Sequence, residues 1–518
     1  MGRFVQTLPP PADPYGGDRL LRSWLERHLG EQGHAAARPR LEALAADVTG
    51  PLLQAHRDAE AHPPELVRYD PWGKRINHIQ TSAGWQTLRE AAARHGLVAE
   101  PYRPGGSRVL QHALLHLYGP ESAVFSCPVA MSDGAAALIS GLGEPNAWLD
   151  RLTSTDPAQA ATSGQWMTES TGGSDLSGTG TVARRDADGW RVTGEKWFCS
   201  AIDSPIAIAL ARPEGADSGT RFLAPFLIER DQPGITVHRL KDKLGTRALP
   251  TAEVGLADVT AMALGDPAHG GLARMMTLVV VTRLHNAAAA SSGMRRGLDY
   301  ALAFAAARNV AGGRLAVSPL HRATLATLAV DTAGAFVLTG HAFSLMQQAQ
   351  EAELRLVAPL AKLATGKLAV ANASEYVECF GGAGYVEDTG IPRLLRDAQV
   401  LPIWEGTTNV LALDVVRAVV AGHAEAVLSR LDTHPSLAQT TASLRDEIAL
   451  VRKDPASTAV VAGARGLALR LANALTAALL LEHADWGTEV AADLWRRRWL
   501  GHEDIAAAAA DNFTDLCG

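Results

Sequence analysis

The 518-residue sequence has little cysteine and few aromatic residues. Its four cysteines are far apart and form no Cys-x-x-Cys pair, so the pattern excludes a disulfide framework and a cysteine zinc site and favours a reducing compartment; they are Cys127, Cys199, Cys379 and Cys517. Aromatic residues make up only 5% of the chain against 47% hydrophobic residues in all. The apolar mass is mostly Ala, Leu and Val, and its Ala and Leu content predicts a mainly helical protein.

The sequence also lacks a strong charge of either sign. Its formal net charge is −7 and its pI is about 6.2, which gives no overall attraction to nucleic acid or to an anionic membrane. The N-terminal stretch MGRFVQTLPPPADPYGGDR holds prolines and charges where a signal peptide has an apolar segment. We find no uncharged apolar run of membrane-spanning length. These absences predict a cytoplasmic protein with no membrane partner.

Changes in residue pattern predict five regions along the chain. Residues 1–18, rich in Pro and Gly, are expected to form an extended arm, and helical spacing of apolar residues predicts an N-terminal α-domain over residues 19–164. Residues 165–265 hold short apolar segments and a DADG turn, which indicate a domain of antiparallel strands. Long Ala-rich segments predict a helical bundle over residues 266–420, with long helices over about 272–308, 320–347 and 353–380 and a shorter helix over 401–420. Residues 421–518 are expected to add further helices.

Three stretches carry residues suited to chemistry. WMTESTGGSDLSG contains Gly172 and Gly173, which allow close approach to a ligand, although the stretch alone is equally typical of a capped turn. ECFGGAGYVEDTGIPRLLRD, residues 378–397, is a Gly-rich break between helices, and no strand precedes it as a dinucleotide fingerprint requires. LPIWEGTTNV places one carboxylate, Glu405, between an apolar run and a polar one.

The order and spacing of the three stretches resemble the acyl-CoA dehydrogenase family over roughly residues 60–420. MTESTGGSD is similar to the family's first signature, residues 378–397 to its second, and Glu405 falls where the family carries its catalytic glutamate. RVTGEKWFCS, HRLKDKLGTRA and TRLHNAAAASSGMRRGLDYA resemble the AidB-type branch. The resemblance implies an N-terminal α-domain, an antiparallel β-domain and a C-terminal four-helix bundle, followed by an extra helical region.

The resemblance also implies FAD as cofactor, bound between the β-domain and the C-terminal bundle. Thr168 matches a threonine at the pyrimidine edge of the flavin, and Ser174, after Gly173, matches a serine near the pyrophosphate. Phe198 stands where the family usually has Trp against the isoalloxazine. Ser200 stands where the family usually has Thr near flavin N5. An aromatic face and a hydroxyl are thereby retained.

A neighbouring subunit is implied to complete the cofactor site. Arg308 matches an arginine on the FAD pyrophosphate, and Gly381 and Gly382 match glycines along the adenosine side. Thr407 and Asn409 match polar residues on the FAD side of the catalytic loop. The resemblance therefore implies a homotetramer or homodimer. The usual Arg-x-x-Phe-Gly is RNVAGGRL here, with Ala311 in place of the aromatic residue, which predicts weaker FAD binding or weaker dimer packing.

Glu405 resembles the family's general base, which removes the α-proton of an acyl thioester while the β-hydrogen leaves as hydride to the flavin. Leu401, Ile403 and Trp404 are expected to keep its surroundings dry, which raises the basicity of a carboxylate. A plainer interpretation is an ordinary helix N-terminal residue favoured by the helix dipole. Some branches carry the base on a long helix, but the matching VVVTRLHN has no carboxylate. Arg283 in that stretch is assigned to the substrate pocket or to the helix surface.

The implied partners are an acyl thioester of CoA or of a carrier protein, and an electron-transfer flavoprotein or oxygen as acceptor. A second hypothesis is double-stranded DNA binding through the C-terminal region, as in the AidB-type branch. Residues 421–518 hold nine Lys and Arg against thirteen Asp and Glu, a net of −4, so composition argues against it. A third is a flavin monooxygenase, which needs no base. The histidines show no metal-ligand spacing, so no metal is expected.

Overall fold

The protein, represented by a computed structural model, is described over residues 13–144, 146–269, 271–310 and 313–517. Most of the expected N-terminal arm, residues 1–12, lies outside these ranges, and so does Ala311. The chain forms two compact units. The helical unit contains the described residues up to Thr49, Ser107–Pro120 and the chain from Asn286 onward; the β-unit contains Gly50–Gly106 and Glu121–His285. Because each unit combines separate segments, the five predicted region boundaries stay predictions.

The N-terminal part of the chain is mostly helical, as its apolar spacing predicts. Its helices are α1 (Arg19–Thr49), α2 (Pro51–Ala61), α3 (Ala83–Arg94), α4 (Arg108–Tyr118), α5 (Ser126–Ser140) and α6 (Ala147–Leu152). Helix α1 is kinked at Gly30, where φ is 72°. A hairpin of β1 (Glu65–Tyr69) and β2 (Arg75–Gln80) interrupts the helices. Sequence analysis missed this hairpin because most of its residues are exposed and show no clear apolar alternation.

The β-domain contains seven strands. They are β3 (Ser163–Trp166), β4 (Val182–Asp186), β5 (Gly189–Ser200), β6 (Ile206–Pro213), β7 (Ala224–Glu229), β8 (Ile235–Leu240) and β9 (Thr251–Ala263). The order is β3-β6-β4-β5-β9-β7, with β8 on β9, and β7 also pairs with β6, so five strands close into a ring. The predicted DADG hairpin is confirmed by β4 and β5. Most pairs are antiparallel as expected, but β3–β6 and β4–β6 are parallel.

Apolar side chains of alternate strand residues fill the interior of the β-domain. Val192, Phe226, Val237, Val254 and Val259 are almost fully buried in one cluster. Burial of this apolar surface, at roughly 25 cal/mol per Å², is the main stabilising contribution to such a core. The opposite faces of the same strands are left available for other contacts.

Long helices dominate the C-terminal part of the chain, as predicted. They are α7 (Gly271–Ala307), α8 (Pro319–Gln347), α9 (Glu351–Cys379), α10 (Ile391–Ala398), α11 (Thr408–Val420), α12 (Glu425–Asp432), α13 (Ala438–Lys453), α14 (Thr458–Glu482), α15 (Glu489–Trp495), α16 (Ala506–Asp511) and α17 (Phe513–Cys517). Two short strands, β10 (Asn309–Val310) and β11 (Gly313–Arg314), form a hairpin between α7 and α8. The helix expected over 401–420 begins only at Thr408, because residues 401–406 form turns. That part of the expectation was wrong.

Two of these helices, α8 and α14, are long and apolar enough to cross a membrane by length and composition. Their most apolar windows are 83% and 67% buried within the protein. Burial of this extent is typical of core helices, whose apolar faces are covered on most sides. The two helices pack against each other and against α9 in the helical unit.

Buried imidazole rings surround Phe336 in the helical unit. His112 of α4 has no exposed surface, and its ring lies 5.1 Å from that of Phe336 and stacks at 5.1 Å on Phe343. Neither ring nitrogen of His112 has a hydrogen-bond partner among the described residues. Burial lowers the pKa of His112 well below its usual range, that of His28 to about 4 and that of His483 to about 3. These rings are therefore neutral in the folded protein near neutral pH.

The neutral histidines predict acid sensitivity of the helical unit. Unfolded histidines titrate near pH 6.5, above the folded pKa values, so the unfolded chain binds more protons below that pH and stability falls. His112→Phe removes one of these titrations. We expect it to reduce the loss of unfolding free energy between about pH 7 and about pH 5, measured by native-state hydrogen exchange of α4. The exposed His502→Asn should leave the loss unchanged. An equal loss in His112→Phe and the parent protein would contradict this account.

Candidate active site

The loop after β3 brings two of the predicted cofactor residues into contact. A Cβ built on Gly173 would lie 2.8 Å from Thr168 Oγ1, so only glycine fits beside this hydroxyl. The Trp197 N–H donates to the Thr168 carbonyl at 2.9 Å, which joins the loop to β5. Ser174, the next predicted residue, is exposed on the same loop. The β-unit thus presents a compact loop with an accessible hydroxyl.

Strand β5 contributes the aromatic face and the second hydroxyl. Phe198 is exposed, Cys199 is buried and Ser200 is partly buried, at a point where the pairing of β5 with β9 shifts register. The Phe198 ring is 54% exposed. Ser200 Oγ lies 3.0 Å from Thr251 Oγ1 on the neighbouring strand β9. The exposed ring of Phe198 and the hydroxyl of Ser200 thus lie two residues apart on β5, and their contact with a flavin stays a prediction.

Two lysines that sequence analysis did not single out border this surface. Lys241 Nζ lies 3.4 Å from the centroid of the Trp197 ring and 4.8 Å from that of Phe198. Lys243 Nζ donates to Thr251 Oγ1 at 3.1 Å. Both lysines lie in the stretch HRLKDKLGTRA, which resembles the AidB-type branch, but no site role was predicted for them. They place positive charge near the predicted flavin surface, which favours an anionic ligand.

A buried ion pair holds the Thr168 loop against the sheet. Lys196 Nζ, only 1% exposed as a residue, lies 2.7 Å from Glu169 Oε1, which also accepts a hydrogen bond from Thr181 Oγ1 at 2.6 Å. Burial alone would raise the pKa of Glu169, but the Lys196 ammonium and these hydrogen bonds hold it below its usual range. Because Glu169 follows Thr168, the pair fixes the position of the loop.

Breaking this pair is expected to destabilise the β-unit strongly. Lys196→Met leaves the Glu169 carboxylate buried without its cation, which costs about 3 kcal/mol of unfolding free energy. Hydrogen exchange of the β5 amides measures the loss, and Glu169→Gln added to Lys196→Met should recover part of it. Arg184→Met, which breaks an exposed pair with Asp258, is the matched control and should cost less than about 1 kcal/mol. Equal losses in the two single variants would refute the assignment.

In the helical unit, the turn of residues 401–406 packs tightly on α9. A Cβ on Gly366 would lie 3.2 Å from the Leu401 carbonyl carbon, a tight contact, so the glycine favours this close approach. Four residues earlier, on the same face of α9, the fully buried Lys362 donates from Nζ to the Gly406 carbonyl at 2.5 Å. Asn286 of α7 donates to the Leu401 carbonyl at 3.2 Å. Sequence analysis missed all three anchors.

Glu405 lies in this anchored turn with φ of 59°, and Gly406 follows with φ of 105°. A non-glycine residue in the left-handed region costs of order 1 kcal/mol and persists where its surroundings impose it, often at functional sites. Helix α11 begins three residues later, at Thr408. Glu405 is therefore not an ordinary helix N-terminal residue, and that plainer interpretation was wrong.

The residues beside Glu405 have more varied surroundings than expected. Thr407 is the N-cap of α11, and its Oγ1 accepts from the Val410 N–H at 3.5 Å. Asn409 is exposed, and Trp404 is partly buried. Ile403 is 58% exposed, so this turn does not by itself supply the dry surroundings expected for the carboxylate.

The remaining predicted cofactor residues of the helical unit lie in segments that follow the ends of helices. Arg308 directly follows α7, and its carbonyl accepts the Leu315 N–H at 2.9 Å, which closes the β10–β11 hairpin. Gly381, with φ of 57°, and Gly382 begin the turn after α9. A Cβ on either glycine would meet nothing within 4 Å. Their backbone can therefore be approached closely by another molecule.

Arg283 of the predicted substrate pocket is buried in the β-unit, with 7% exposure, so it does not lie on the helix surface. Two residues along α7, His285 Nε2 lies 2.8 Å from Asp133 Oδ2, and the Tyr102 hydroxyl donates to Asp133 at 2.7 Å. Contact of Arg283 with substrate stays a prediction. Among the described residues, no group of three or more His, Cys, Asp or Glu side chains could hold a metal ion.

Models of known families match most of the chain. The Adaptive response protein AidB N-terminal domain matches residues 10–157, the acyl-CoA dehydrogenase middle domain residues 164–259 and the acyl-CoA dehydrogenase C-terminal domain residues 269–420. Acyl-CoA dehydrogenase family member 11 of Caenorhabditis elegans is 37% identical over 93% of this chain and 86% of its own length. Putative acyl-CoA dehydrogenase AidB of Escherichia coli (strain K12) is 32% identical over 72% of each chain.

A solved structure agrees with these matches. Caenorhabditis elegans ACDH-11 in complex with C11-CoA superposes with a TM-score of 0.88 at 34% identity, covering 99% of this chain and 92% of its own. Together, fold and motifs define an oxidoreductase built on the acyl-CoA dehydrogenase fold. The chain belongs to the acyl-CoA dehydrogenase family, within its AidB-type branch. The resemblance and the fold class predicted from sequence are confirmed.

Proposed function

We propose that the protein is an FAD-dependent acyl-CoA dehydrogenase that introduces an α,β double bond into an acyl thioester. The observation that carries the proposal is the anchored turn around Glu405. Lys362 and Gly366 of α9 fix this turn. Glu405 itself has a left-handed backbone conformation, which unconstrained residues avoid. A carboxylate fixed in this way suits a general base, whose efficiency depends on its position.

The residues of both units fit FAD. In the β-unit, Phe198 offers an exposed aromatic face, Ser200 a neighbouring hydroxyl and Gly173 a close backbone approach beside Thr168. In the helical unit, the open backbone at Gly381 leaves room for a ligand. When bound, FAD supplies a hydride acceptor at flavin N5.

In this proposal the chain's own residues position the catalytic base, and that base holds the proton taken from the substrate. The Glu405 carboxylate accepts the α-proton of the thioester at one of its Oε atoms, so that carboxylate becomes a carboxylic acid. Lys362 keeps the turn against α9, and Thr407 caps α11 directly after it. The base thus stays in one place during proton transfer, which lowers the entropic part of the barrier.

We further propose a CoA thioester as substrate and a homo-oligomer as the working form. The complex of the similar ACDH-11 with C11-CoA supports CoA and a medium-length acyl chain. Exposed apolar side chains of the helical unit are available for contact with another subunit; they include Val310 (42% exposed), Val317 (56%), Leu320 (80%) and Tyr385 (88%). The electron acceptor is an electron-transfer flavoprotein or oxygen in this proposal.

The alternative of DNA binding gains no support from the tail. Seven of the nine Lys and Arg counted there lie within ion-pair distance of a carboxylate, in the pairs Arg430–Glu482, Arg445–Asp432, Arg452–Glu425, Arg470–Glu447, Arg496–Asp493, Arg497–Glu503 and Arg498–Asp331. Paired cations contribute little net attraction to phosphates. The monooxygenase alternative leaves the anchored carboxylate of Glu405 without a role.

The first test is anaerobic reduction of the purified flavoprotein by acyl-CoAs of different chain length. We expect bleaching of flavin absorbance near ~450 nm by a medium-length thioester. Glu405→Gln should slow the bleaching about 100- to 10,000-fold, because the amide cannot accept the α-proton. Glu351→Gln, an exposed carboxylate on α9, is the control and should retain the parent rate. A protein that no thioester reduces, or a Glu405→Gln variant that is reduced at the parent rate, would refute the proposal.

Cofactor binding is tested at Gly173. Gly173→Ala places a methyl group 2.8 Å from Thr168 Oγ1, which must move. We expect the Kd for FAD, measured by fluorescence titration of the apoprotein, to rise about tenfold. Gly178→Ala lies further along the same loop, where a Cβ meets nothing within 4 Å, and it should bind FAD as the parent does. Equal affinities of the two variants would remove Gly173 from the cofactor site.

A further inference from the structure

The C-terminal helix α17 packs against α8, the helix that follows the hairpin after Arg308. Phe513 and Leu516 of α17 contact a buried cluster in the helical unit that includes Phe304 and Tyr376. Leu315, at the end of the hairpin, packs against the same cluster. The last turn of the chain and the Arg308 hairpin therefore share one apolar support.

Arg322 of α8 connects the two segments directly. Its Nε donates to the Ala316 carbonyl at 2.8 Å, and its guanidinium carbon lies 5.2 Å from the centroid of the Phe513 ring. A guanidinium over an aromatic face is attracted by the ring quadrupole, which restricts its orientation. The ring of Phe513 thus helps to aim the Arg322 donor at the turn after the hairpin.

The turn after the hairpin also forms hydrogen bonds of its own to the end of α7. The Leu315 N–H donates to the Arg308 carbonyl at 2.9 Å, and Arg314 Nη1 donates to the Ala307 carbonyl at 2.5 Å. A continuous series of contacts consequently runs from Phe513 through Arg322 and residues 314–316 to Arg308.

Helix α17 depends on tertiary contacts for its own order. It has only five residues, too few for a stable isolated helix. Arg19 of α1 donates from Nη2 to the Asp515 carbonyl at 2.7 Å, which ties it to the N-terminal helix. A segment held this way can support the hairpin only while its packed ring remains in place.

We infer that α17 is a positioning element for the Arg308 hairpin, with Phe513 and Arg322 as its positioning residues. The inference rests on the FAD cofactor of the proposed function, and on the match of Arg308 to an arginine on the FAD pyrophosphate that the resemblance implies. The usual aromatic three residues after that arginine is Ala311 in this sequence. Phe513, from a distant part of the sequence, supplies an aromatic ring that packs against the same buried cluster as Leu315, which follows the hairpin.

The test combines hydrogen exchange of residues 308–316 in the full-length apoprotein with FAD affinity. In Phe513→Ala, we expect faster exchange of the 308–316 amides, with the Leu315 N–H among them, and a Kd for FAD about tenfold higher. Phe513→Tyr keeps the ring and should restore both values. Leu450→Ala, an exposed apolar residue on α13, is the control and should change neither.

Arg322→Lys is the second variant, because it keeps the charge but loses the planar fork. Faster exchange at 308–316 in this variant, with unchanged exchange in α9, supports positioning even if Phe513→Ala unfolds the unit. Unchanged exchange at 308–316 in both variants overturns the inference, whatever FAD does. Faster exchange with no FAD binding by the parent protein supports the positioning role and instead contradicts the proposed cofactor.

Discussion

The hydrogen bond from the buried ammonium group of Lys362 to the Gly406 carbonyl is the interaction on which the candidate active site depends. A cation with no exposed surface is costly unless it is hydrogen-bonded. Its bond at 2.5 Å secures the turn of residues 401–406 to α9. Gly366, four residues further along the helix, removes the side chain that would hold the turn away. Together they impose the left-handed backbone at Glu405, which a free chain rarely adopts.

The β-unit uses a second buried lysine in the same way. Lys196 lies inside the sheet and binds Glu169, which follows directly after Thr168 of the predicted cofactor loop. In each unit, therefore, a loop that carries predicted site residues is fixed by a cation from the protein interior. The loops themselves can then present exposed groups, such as the ring of Phe198, without losing their position. Of the two buried lysines, Lys196 lies within the quoted stretch RVTGEKWFCS, whereas Lys362 lies in none of the quoted stretches.

Much of the fold could be predicted from periodicity, and the candidate site only in part. The three long helices α7, α8 and α9 begin and end within two residues of their predicted limits, because uninterrupted Ala- and Leu-rich segments favour helix. The exposed hairpin of β1 and β2 has no apolar alternation to reveal it. The start of α11 was placed too early, since a strained turn at Glu405 cannot be inferred from propensity. Lys362 is the one charged residue within LVAPLAKLATG, so its position is conspicuous in the sequence. Its partner, Gly406, is 44 residues away, and local sequence patterns do not reveal such a contact.

Proton abstraction by Glu405 is the central claim, and deuterium exchange at the thioester α-carbon tests it most directly. The flavoprotein is incubated anaerobically with a medium-length acyl-CoA in D₂O, without an electron acceptor, and the C2 position is followed by proton NMR or mass spectrometry. The account predicts deuterium at C2 with the parent protein and almost none with Glu405→Gln. Exchange at equal rates in both proteins, or no exchange in a parent protein that carries its flavin, would contradict it.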